Sequence, residues 1–223
     1  MDISENTILR GVVGSTAHGL SIEGQEDRDE IGVFIEAPEN VCGLSSLDHY
    51  IQRDRPAGVR SQPGDLDLSF YSLRKFCRLI VKGNPSITLL LWLPSYMVAT
   101  DSGLELIMMR EALVSKHVGR ACLGYLVSQR MKLMGERSPA VSRPDLVAKY
   151  GYDTKFAMHA LRLGYEGIQL MQERWLSLPI PEPRLSILRS IRLGAMPLPN
   201  VLELIDDVER QLKEMVDRCT WEV

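Results

Sequence analysis

The chain has 223 residues, of which 45% are hydrophobic and 25% are charged, and its formal net charge at pH 7 is −3. This composition is typical of a globular protein with a substantial core and argues against a disordered chain, while the weak negative charge means that a nucleic acid would have to be bound by a local patch. The sequence has no run of eighteen apolar residues and no signal-peptide pattern at MDISENTILR, so we expect a cytoplasmic protein without membrane contact. Its four cysteines are scattered and form no CxxC pair, which predicts reduced thiols.

The first hundred residues predict a mixture of strands and short helices. A strand, TILRGVVG, ends at Gly14; a short helix capped by Ser15 follows and closes at Gly19; a second strand, IGVFIEA, ends at Pro38. The next predicted segments are an edge strand, a turn-rich loop, a third strand and two helices: DHYIQRD (48–54), RPAGVRSQPGD (55–65), LDLSFYS (66–72), LRKFCRLIV (73–81) and SITLLLWL (86–93).

From Asp101 onward the pattern changes to helices, because apolar residues recur there at spacings of three and four. The segments with this spacing are DSGLELIMMREAL, KHVGRACLGYLVSQRMKLM, LVAKYGYDTKFAMHALRLGYEGIQLMQERW and PNVLELIDDVERQLKEMVDRC. We therefore predict an α+β fold in which a small mixed-sheet domain, residues 1–100, is followed by a helical domain, residues 101–223.

The stretch GSTAHGLSIEGQEDRDEIGVF joins a Gly-Ser turn to two closely spaced carboxylates, Asp27 and Asp29. In an extended segment the side chains of residues i and i+2 leave the same face, where two carboxylates repel each other unless a cation lies between them. Mg²⁺ prefers oxygen ligands and is often shared between carboxylates and phosphates. Gly14 allows the backbone to approach a phosphate closely, and Ser15 can donate a hydrogen bond to it. The pattern predicts a divalent-metal and polyphosphate site.

A third carboxylate on a neighbouring strand would complete such a site. With it, the site could activate an attacking hydroxyl in a two-metal displacement. Asp67 is our candidate for this position, and Asp65 is its competitor.

Three blocks in this order resemble the DNA polymerase β-like nucleotidyltransferase superfamily, in its branch of predicted bacterial and phage enzymes. They are GSTAHGLSIEGQEDRDEIGVF, DLDLSFYSLRKFCRLIVKGNPS and GYDTKFAMHALRLG. The resemblance implies transfer of a nucleoside monophosphate from an NTP to an acceptor. It implies that the phosphate-binding turn falls on Gly14 and Ser15, the paired metal ligands on Asp27 and Asp29, and the third carboxylate on Asp67.

Positive groups that could contact a nucleotide lie outside this constellation. On one predicted helix, Lys155, His159, Arg162 and Glu166 form a polar stripe at i, i+4, i+7 and i+11. This stripe is either a solvated face or one wall of the nucleotide site, where Lys155 and Arg162 would bind phosphates, unless Arg162 pairs with Glu166, and His159 would contact substrate. Arg74 begins the helix that follows the third carboxylate and is a further candidate. His18 remains open between a nucleotide contact and a surface residue.

The resemblance implies a Mg²⁺- or Mn²⁺-dependent enzyme that releases pyrophosphate, with residues 1–100 as the catalytic domain and residues 101–223 completing the nucleotide and acceptor cleft. The acceptor hydroxyl could belong to an RNA end, a protein or a small molecule, and the sequence does not indicate the oligomeric state. The alternatives are an antitoxin-like or regulatory interaction protein without activity and a nucleotide hydrolase. Three mutually repelling carboxylates favour an enzyme over a pure binder.

Overall fold

The computed structural model describes residues 3, 5–22, 28–44, 46–53, 64–136 and 143–221. Within these residues one mixed sheet has the strand order β3-β4-β2-β1-β5. Strands β2 and β4 are parallel, and the other neighbours are antiparallel. The strands are β1 (Thr7–Val12), β2 (Arg28–Phe34), β3 (His49–Arg53), β4 (Leu66–Ser72) and β5 (Val98–Ala99). Together with the helices below, the sheet confirms the predicted α+β class.

Strand β2 begins at Arg28, three residues earlier than predicted, and ends at Phe34. It pairs with β1 on one side and β4 on the other, and the pairing with β4 extends to Arg28 and Asp29 opposite Leu66 and Asp67. Charged residues have low strand propensity, so the sequence alone did not indicate this extension. Asp29 therefore lies within the sheet.

The helix after β1, α1 (Gly14–His18), differs from prediction at its start. It begins at Gly14, so Ser15 lies within its first turn, and the prediction that Ser15 caps it was wrong. Its predicted end is confirmed, because Gly19 adopts the left-handed conformation with φ of 74°.

Two further predictions concern the segment between β2 and β4. The predicted edge strand is confirmed as β3, which lies at one end of the strand order with every residue exposed. The predicted turn-rich loop, residues 55–65, lies outside the described residues except for its last two positions.

The helices continue the order along the chain. They are α2 (Pro38–Cys42), α3 (Leu73–Val81), α4 (Pro85–Thr88), α5 (Asp101–Met108), α6 (Lys116–Leu133), α7 (Pro144–Tyr150), α8 (Thr154–Glu173), α9 (Arg184–Arg192) and α10 (Leu198–Arg218). A 3₁₀ turn at Leu89–Trp92 extends α4. The chain divides into two compact units: Met1–Val81 with Ser86–Leu113 and Ser177–Ile180, and Lys82–Pro85 with Val114–Leu176 and Pro181–Val223. We call these the sheet unit and the helical unit.

The sheet unit has apolar groups on both faces of its sheet. On one face Phe34, Leu68 and Phe70 form a buried cluster, since these residues alternate with the others along β2 and β4. Phe76 and Ile80, on one side of α3, are also fully buried. The predicted helix at residues 73–81 is confirmed as α3.

The helical unit is built around α8, whose residues are mostly buried. Gly164 and Gly167 of α8 face Val208 and Leu212 of α10, and a Cβ added to Gly167 would lie 2.8 Å from both Cys122 Cβ and Leu212 Cδ2. These glycines therefore allow α6 and α10 to pack closely on α8.

Two further features concern the apolar character of the helices and the state of the cysteines. Among the described helices none is both long and apolar enough to cross a membrane. All four cysteines are free thiols, and only Cys122 is buried.

Candidate active site

The central feature of the sheet unit is a pair of aspartates on neighbouring strands. Asp29 of β2 is the direct register partner of Asp67 of β4. Neighbouring strands lie about 4.8 Å apart and register partners point to the same face, so the two carboxylates stand side by side. Both residues are only partly buried. The parallel pairing thus brings together two of the three carboxylates predicted from sequence; the third, Asp27, lies outside the described residues.

The Gly-Ser turn is packed directly against this pair. Gly14 has a φ of +66°, and a Cβ added to it would lie 3.1 Å from Asp29 Cβ and Cγ and would collide with Asp29 Oδ2. Only glycine satisfies both the backbone conformation and the contact. Ser15 follows in the first turn of α1, so the predicted turn and the first carboxylate of the pair are neighbours.

His18 supports the turn from within α1. Its ring is buried, and Nδ1 lies 2.5 Å from the Gly14 carbonyl oxygen. A carbonyl only accepts hydrogen bonds, so Nδ1 is the donor. The reading of His18 as a surface residue was wrong, because its ring fixes the turn instead.

Asp67 has a cationic partner that the sequence analysis missed. Arg53, its register partner on β3, donates from Nε to Asp67 Oδ1 at 3.1 Å and Oδ2 at 3.2 Å. The two side chains are 42% and 21% exposed, so the pair is open to solvent and can exchange partners. The predicted edge strand already contained Arg53. Only the observed register of β3 against β4 shows that Arg53 lies opposite Asp67.

The donor set suits a hard divalent cation. Asp29 and Asp67 offer carboxylate oxygens from adjacent strands, and the missing Cβ of Gly14 keeps backbone close to one of them. The part of the chain that the structure describes contains no cluster of three or more His, Cys, Asp or Glu side chains arranged for a metal, and Asp27 is outside it. Asp29 and Asp67 are therefore suited to be two of the three predicted metal ligands.

A buried charge network anchors the strand that carries Asp29. Glu30 is almost fully buried and accepts from Arg10 Nε at 2.7 Å and from Arg28 Nε at 2.5 Å. Because side chains alternate along a strand, Arg28 and Glu30 point away from the face that carries Asp29. This network was also missed. Its Arg10–Glu30 contact links β1 to β2, and its Arg28–Glu30 contact joins the two neighbours of Asp29 within β2.

Arg74, predicted to contact the nucleotide, has a structural partner. Its Nε donates to Glu36 Oε1 at 2.9 Å, and Glu36 is buried. Burial raises the pKa of the Glu36 carboxyl, but its own backbone amide, Arg74 and Ser72 outweigh this effect through hydrogen bonds, and the net pKa is lowered. The nucleotide contact of Arg74 stays a prediction.

The remaining candidates lie in the helical unit, on α8. Arg162 donates to Glu166 Oε1 at 2.7 Å, and the two side chains are only 16% and 5% exposed. Lys155 and His159 are partly buried on the same helix. The alternative of a solvated stripe is therefore wrong for Arg162 and Glu166. The nucleotide contacts of Lys155, His159 and Arg162 stay predictions.

A cavity of about 220 Å³ lies beside α1 in the sheet unit. It is smaller than the pockets that hold drug-sized ligands, so it suits a fragment such as a single ring system. Its walls are mainly apolar, and they include Val12, Ala17, Tyr96, Met97 and Pro179.

Comparison with known proteins gives a family match over most of the chain. Residues 3–190 match the family model described as RlaP, RNA repair pathway DNA polymerase beta family. Among solved structures, a nucleotidyltransferase-like protein from Exiguobacterium sibiricum 255-15 is similar at 10% identity and a TM-score of 0.34, covering 95% of this chain and 69% of that one. This likeness is too distant to support an argument about the site. No curated protein matches the sequence. The family match confirms the superfamily inferred from the three sequence blocks.

Proposed function

The chain belongs to the RlaP family of the DNA polymerase beta type, and we propose that it is a nucleotidyltransferase that acts on RNA. In the proposed reaction it transfers a nucleoside monophosphate from an NTP to the 3′ hydroxyl of an RNA end and releases pyrophosphate. The observation that carries the proposal is the side-by-side placement of Asp29 and Asp67 with Gly14 packed on Asp29. The choice of RNA over a protein or a small molecule rests on the family description, which refers to RNA repair.

The bond changes assign a role to each residue of the sheet unit. The acceptor oxygen forms a bond to the α-phosphorus, and the bond from that phosphorus to the bridging oxygen of the β-phosphate breaks, so pyrophosphate leaves with the electron pair. A carboxylate oxygen of Asp67 takes the proton of the attacking hydroxyl. Ser15 donates its hydroxyl hydrogen to a phosphate oxygen, and Gly14 keeps the backbone close enough for that contact.

Asp29 and Asp67, with Asp27 as the third predicted ligand, would hold a divalent cation such as Mg²⁺ or Mn²⁺. When bound, the cation supplies positive charge that offsets the charge of the phosphate oxygens and of the carboxylates themselves. In the metal-free protein Arg53 supplies that charge to Asp67.

Nucleotide contacts outside the sheet face form a second part of the proposal. We assign the base of the NTP to the cavity beside α1, because this cavity adjoins the helix that carries Ser15 and has mainly apolar walls and a size suited to a ring system. Lys155, His159 and Arg162 are retained as proposed contacts of the NTP, in keeping with the family match, which includes their positions.

The test is incubation with each α-labelled NTP, Mg²⁺ or Mn²⁺, and an RNA oligonucleotide that ends either in a 3′ hydroxyl or in a 3′ phosphate. We expect the label on the 3′-hydroxyl RNA alone, lengthened by one or more nucleotides, with one pyrophosphate per nucleotide added. Label on the blocked RNA or on protein would contradict the RNA acceptor. Release of nucleotide in the absence of RNA would indicate a hydrolase, and no consumption of any NTP would support an interaction protein.

A further inference from the structure

The sheet edge next to Asp67 carries side chains that have no role in the proposed transfer reaction. Strand β3 pairs with β4 so that His49 lies opposite Tyr71 and Arg53 lies opposite Asp67. Opposite residues of an antiparallel pair point to the same face, so these four side chains form one row along the sheet edge. Lys75 lies in the first turn of α3, which directly follows β4. We call His49, Tyr71 and Lys75 the edge strip.

The edge strip presents a stacked pair of rings. The ring centroids of His49 and Tyr71 are 4.4 Å apart, and the ring planes are 13° from parallel. His49 is exposed at the sheet edge, while Tyr71 is partly buried and supports it from β4. An exposed flat ring supported from behind is a platform on which a nucleobase can stack, whatever the sequence of the nucleic acid.

Two cations act on the His49 ring. Partial desolvation lowers the pKa of the His49 imidazole, and the charges of Lys75 and Arg53 lower it further. Lys75 and Arg53 are therefore both close enough to act on the ring, which favours a neutral imidazole at neutral pH. The strip combines a neutral stacking surface with nearby positive charge, as proteins that bind single-stranded nucleic acid do.

The row of side chains is short, and one of its ends lies at Asp67. From Arg53 to His49 the row spans roughly 13 Å at about 3.3 Å per residue, so it can contact only a short segment of a nucleic acid. One end of the row is at Asp67, the residue assigned to the attacking hydroxyl. The chain has a net charge of −3, so a polyanion needs a local patch of this kind.

From these observations we infer that the edge strip binds the last nucleotides of a single-stranded RNA acceptor, with a base stacked on His49 and a phosphate at Lys75, so that the terminal hydroxyl is delivered to Asp67. The inference rests on the proposed function for the identity of the acceptor. It adds a positioning surface whose residues do not touch the reacting atoms.

The test is the affinity of a fluorescently labelled RNA octamer, measured by anisotropy in the absence of NTP. We expect His49→Ala to weaken binding roughly tenfold, as loss of one stacked base does, while His49→Phe, which keeps a flat ring, restores it. Lys75→Ala should reduce the slope of log affinity against log salt by about 0.7, the value for one phosphate of a single strand.

Two variants serve as matched controls. Tyr50 is the neighbour of His49 on β3, 42% exposed, and points to the opposite face of the sheet. Lys213 is an exposed lysine of α10 in the helical unit. Tyr50→Ala and Lys213→Ala should bind RNA as the wild type does, with thermal melts confirming that all variants are folded.

The outcomes separate this inference from the proposed function. If the wild type does not bind RNA, or if His49→Ala and Lys75→Ala bind it as well as the two controls do, the edge strip is not the acceptor surface. If the wild type extends RNA and the KM for RNA is the same in both strip variants, the inference fails and the function stands. If the strip variants lose RNA binding but no nucleotide is transferred to any RNA, the surface stands and the function fails. A rise in the KM for RNA with an unchanged KM for NTP would support both.

Discussion

The sheet unit and the helical unit each contain a pair of an arginine and a carboxylate, and the two pairs differ in what surrounds them. Arg53 and Asp67 meet across two strands at the sheet edge, where the side chains are 42% and 21% exposed. Arg162 and Glu166 meet one helical turn apart on α8, where they are 16% and 5% exposed. A pair open to water contributes little to stability, and its members can change partners, whereas breaking a buried pair leaves an uncompensated charge. We therefore expect removal of the arginine to cost little stability at the sheet edge and much more on α8.

The largest expected effect concerns the carboxylate next to Asp67. Asp29→Ala should lower nucleotide transfer by about 10⁴-fold, because the offset of phosphate charge by a cation held there contributes several kcal/mol. Unfolding free energy should stay the same or rise, since one of two adjacent like charges is removed. Pyrophosphate release and thermal melts of the same preparation measure the two quantities. Unchanged transfer would remove Asp29 from the site.

The next prediction concerns the buried pair. Arg162→Ala should lower the unfolding free energy by about 3 to 5 kcal/mol, because the buried Glu166 carboxylate would lose its ion pair and hydrogen bond to Arg162. Urea denaturation measures this quantity.

The exposed pair is the matched control for Arg162→Ala. Arg53→Ala should change the unfolding free energy by no more than about 1 kcal/mol. Equal losses of stability in the two variants would break the distinction drawn between the two units.

The third prediction tests the contact between the Gly-Ser turn and Asp29. Gly14→Ala should lower transfer by about 10²-fold, because the new Cβ would displace the Asp29 carboxylate by a distance that matters for catalysis. Gly151→Ala is its control: Gly151 also has a positive φ, of 81°, but no atom lies within 4 Å of the position of its Cβ. Similar losses of transfer in the two variants would assign the effect of Gly14→Ala to backbone strain alone.

A smaller effect than that of Gly14→Ala is expected at Arg74, whose partner Glu36 is buried while Arg74 itself is 40% exposed. Arg74→Ala should lower the unfolding free energy by about 1 to 2 kcal/mol at pH 7, because a charged hydrogen bond to a buried carboxylate is lost. The folded-state pKa of Glu36 is lowered, so this contribution is present above the unfolded-state pKa and disappears as pH falls through the folded-state value. The wild type and the variant should therefore converge in stability in acid. A loss of NTP affinity with unchanged stability would instead favour the predicted nucleotide contact.

The sequence was sufficient for features that depend on local spacing. The positions i and i+4 of Arg162 and Glu166 on an apolar helix indicated that they could pair, and the strand patterns around Asp29 and Asp67 indicated which segments carry the carboxylates. The closing of α1 at Gly19 followed from the preference of glycine for positive φ.

Features that depend on strand register and on burial could not be predicted from local spacing. The placement of Asp29 beside Asp67 and of Arg53 against Asp67 follows from pairings between segments that are distant in the chain, and a shift of one residue would have reversed the faces. The burial of His18 and Glu30 is likewise set by tertiary packing, since neither short polar segment has an apolar pattern that would indicate it.

Asp67, placed beside Asp29 by the parallel pairing of β2 and β4, is proposed to accept the proton of the attacking hydroxyl. The most direct test compares the rate of nucleotide transfer to RNA for the wild type, Asp67→Asn and Asp65→Asn, with NTP affinity measured for each. Asp67→Asn should retain NTP affinity and lose transfer by about 10³-fold, within the range typical of a missing general base, while Asp65→Asn should transfer at close to the wild-type rate. A wild-type rate in Asp67→Asn together with a large loss in Asp65→Asn would contradict the account.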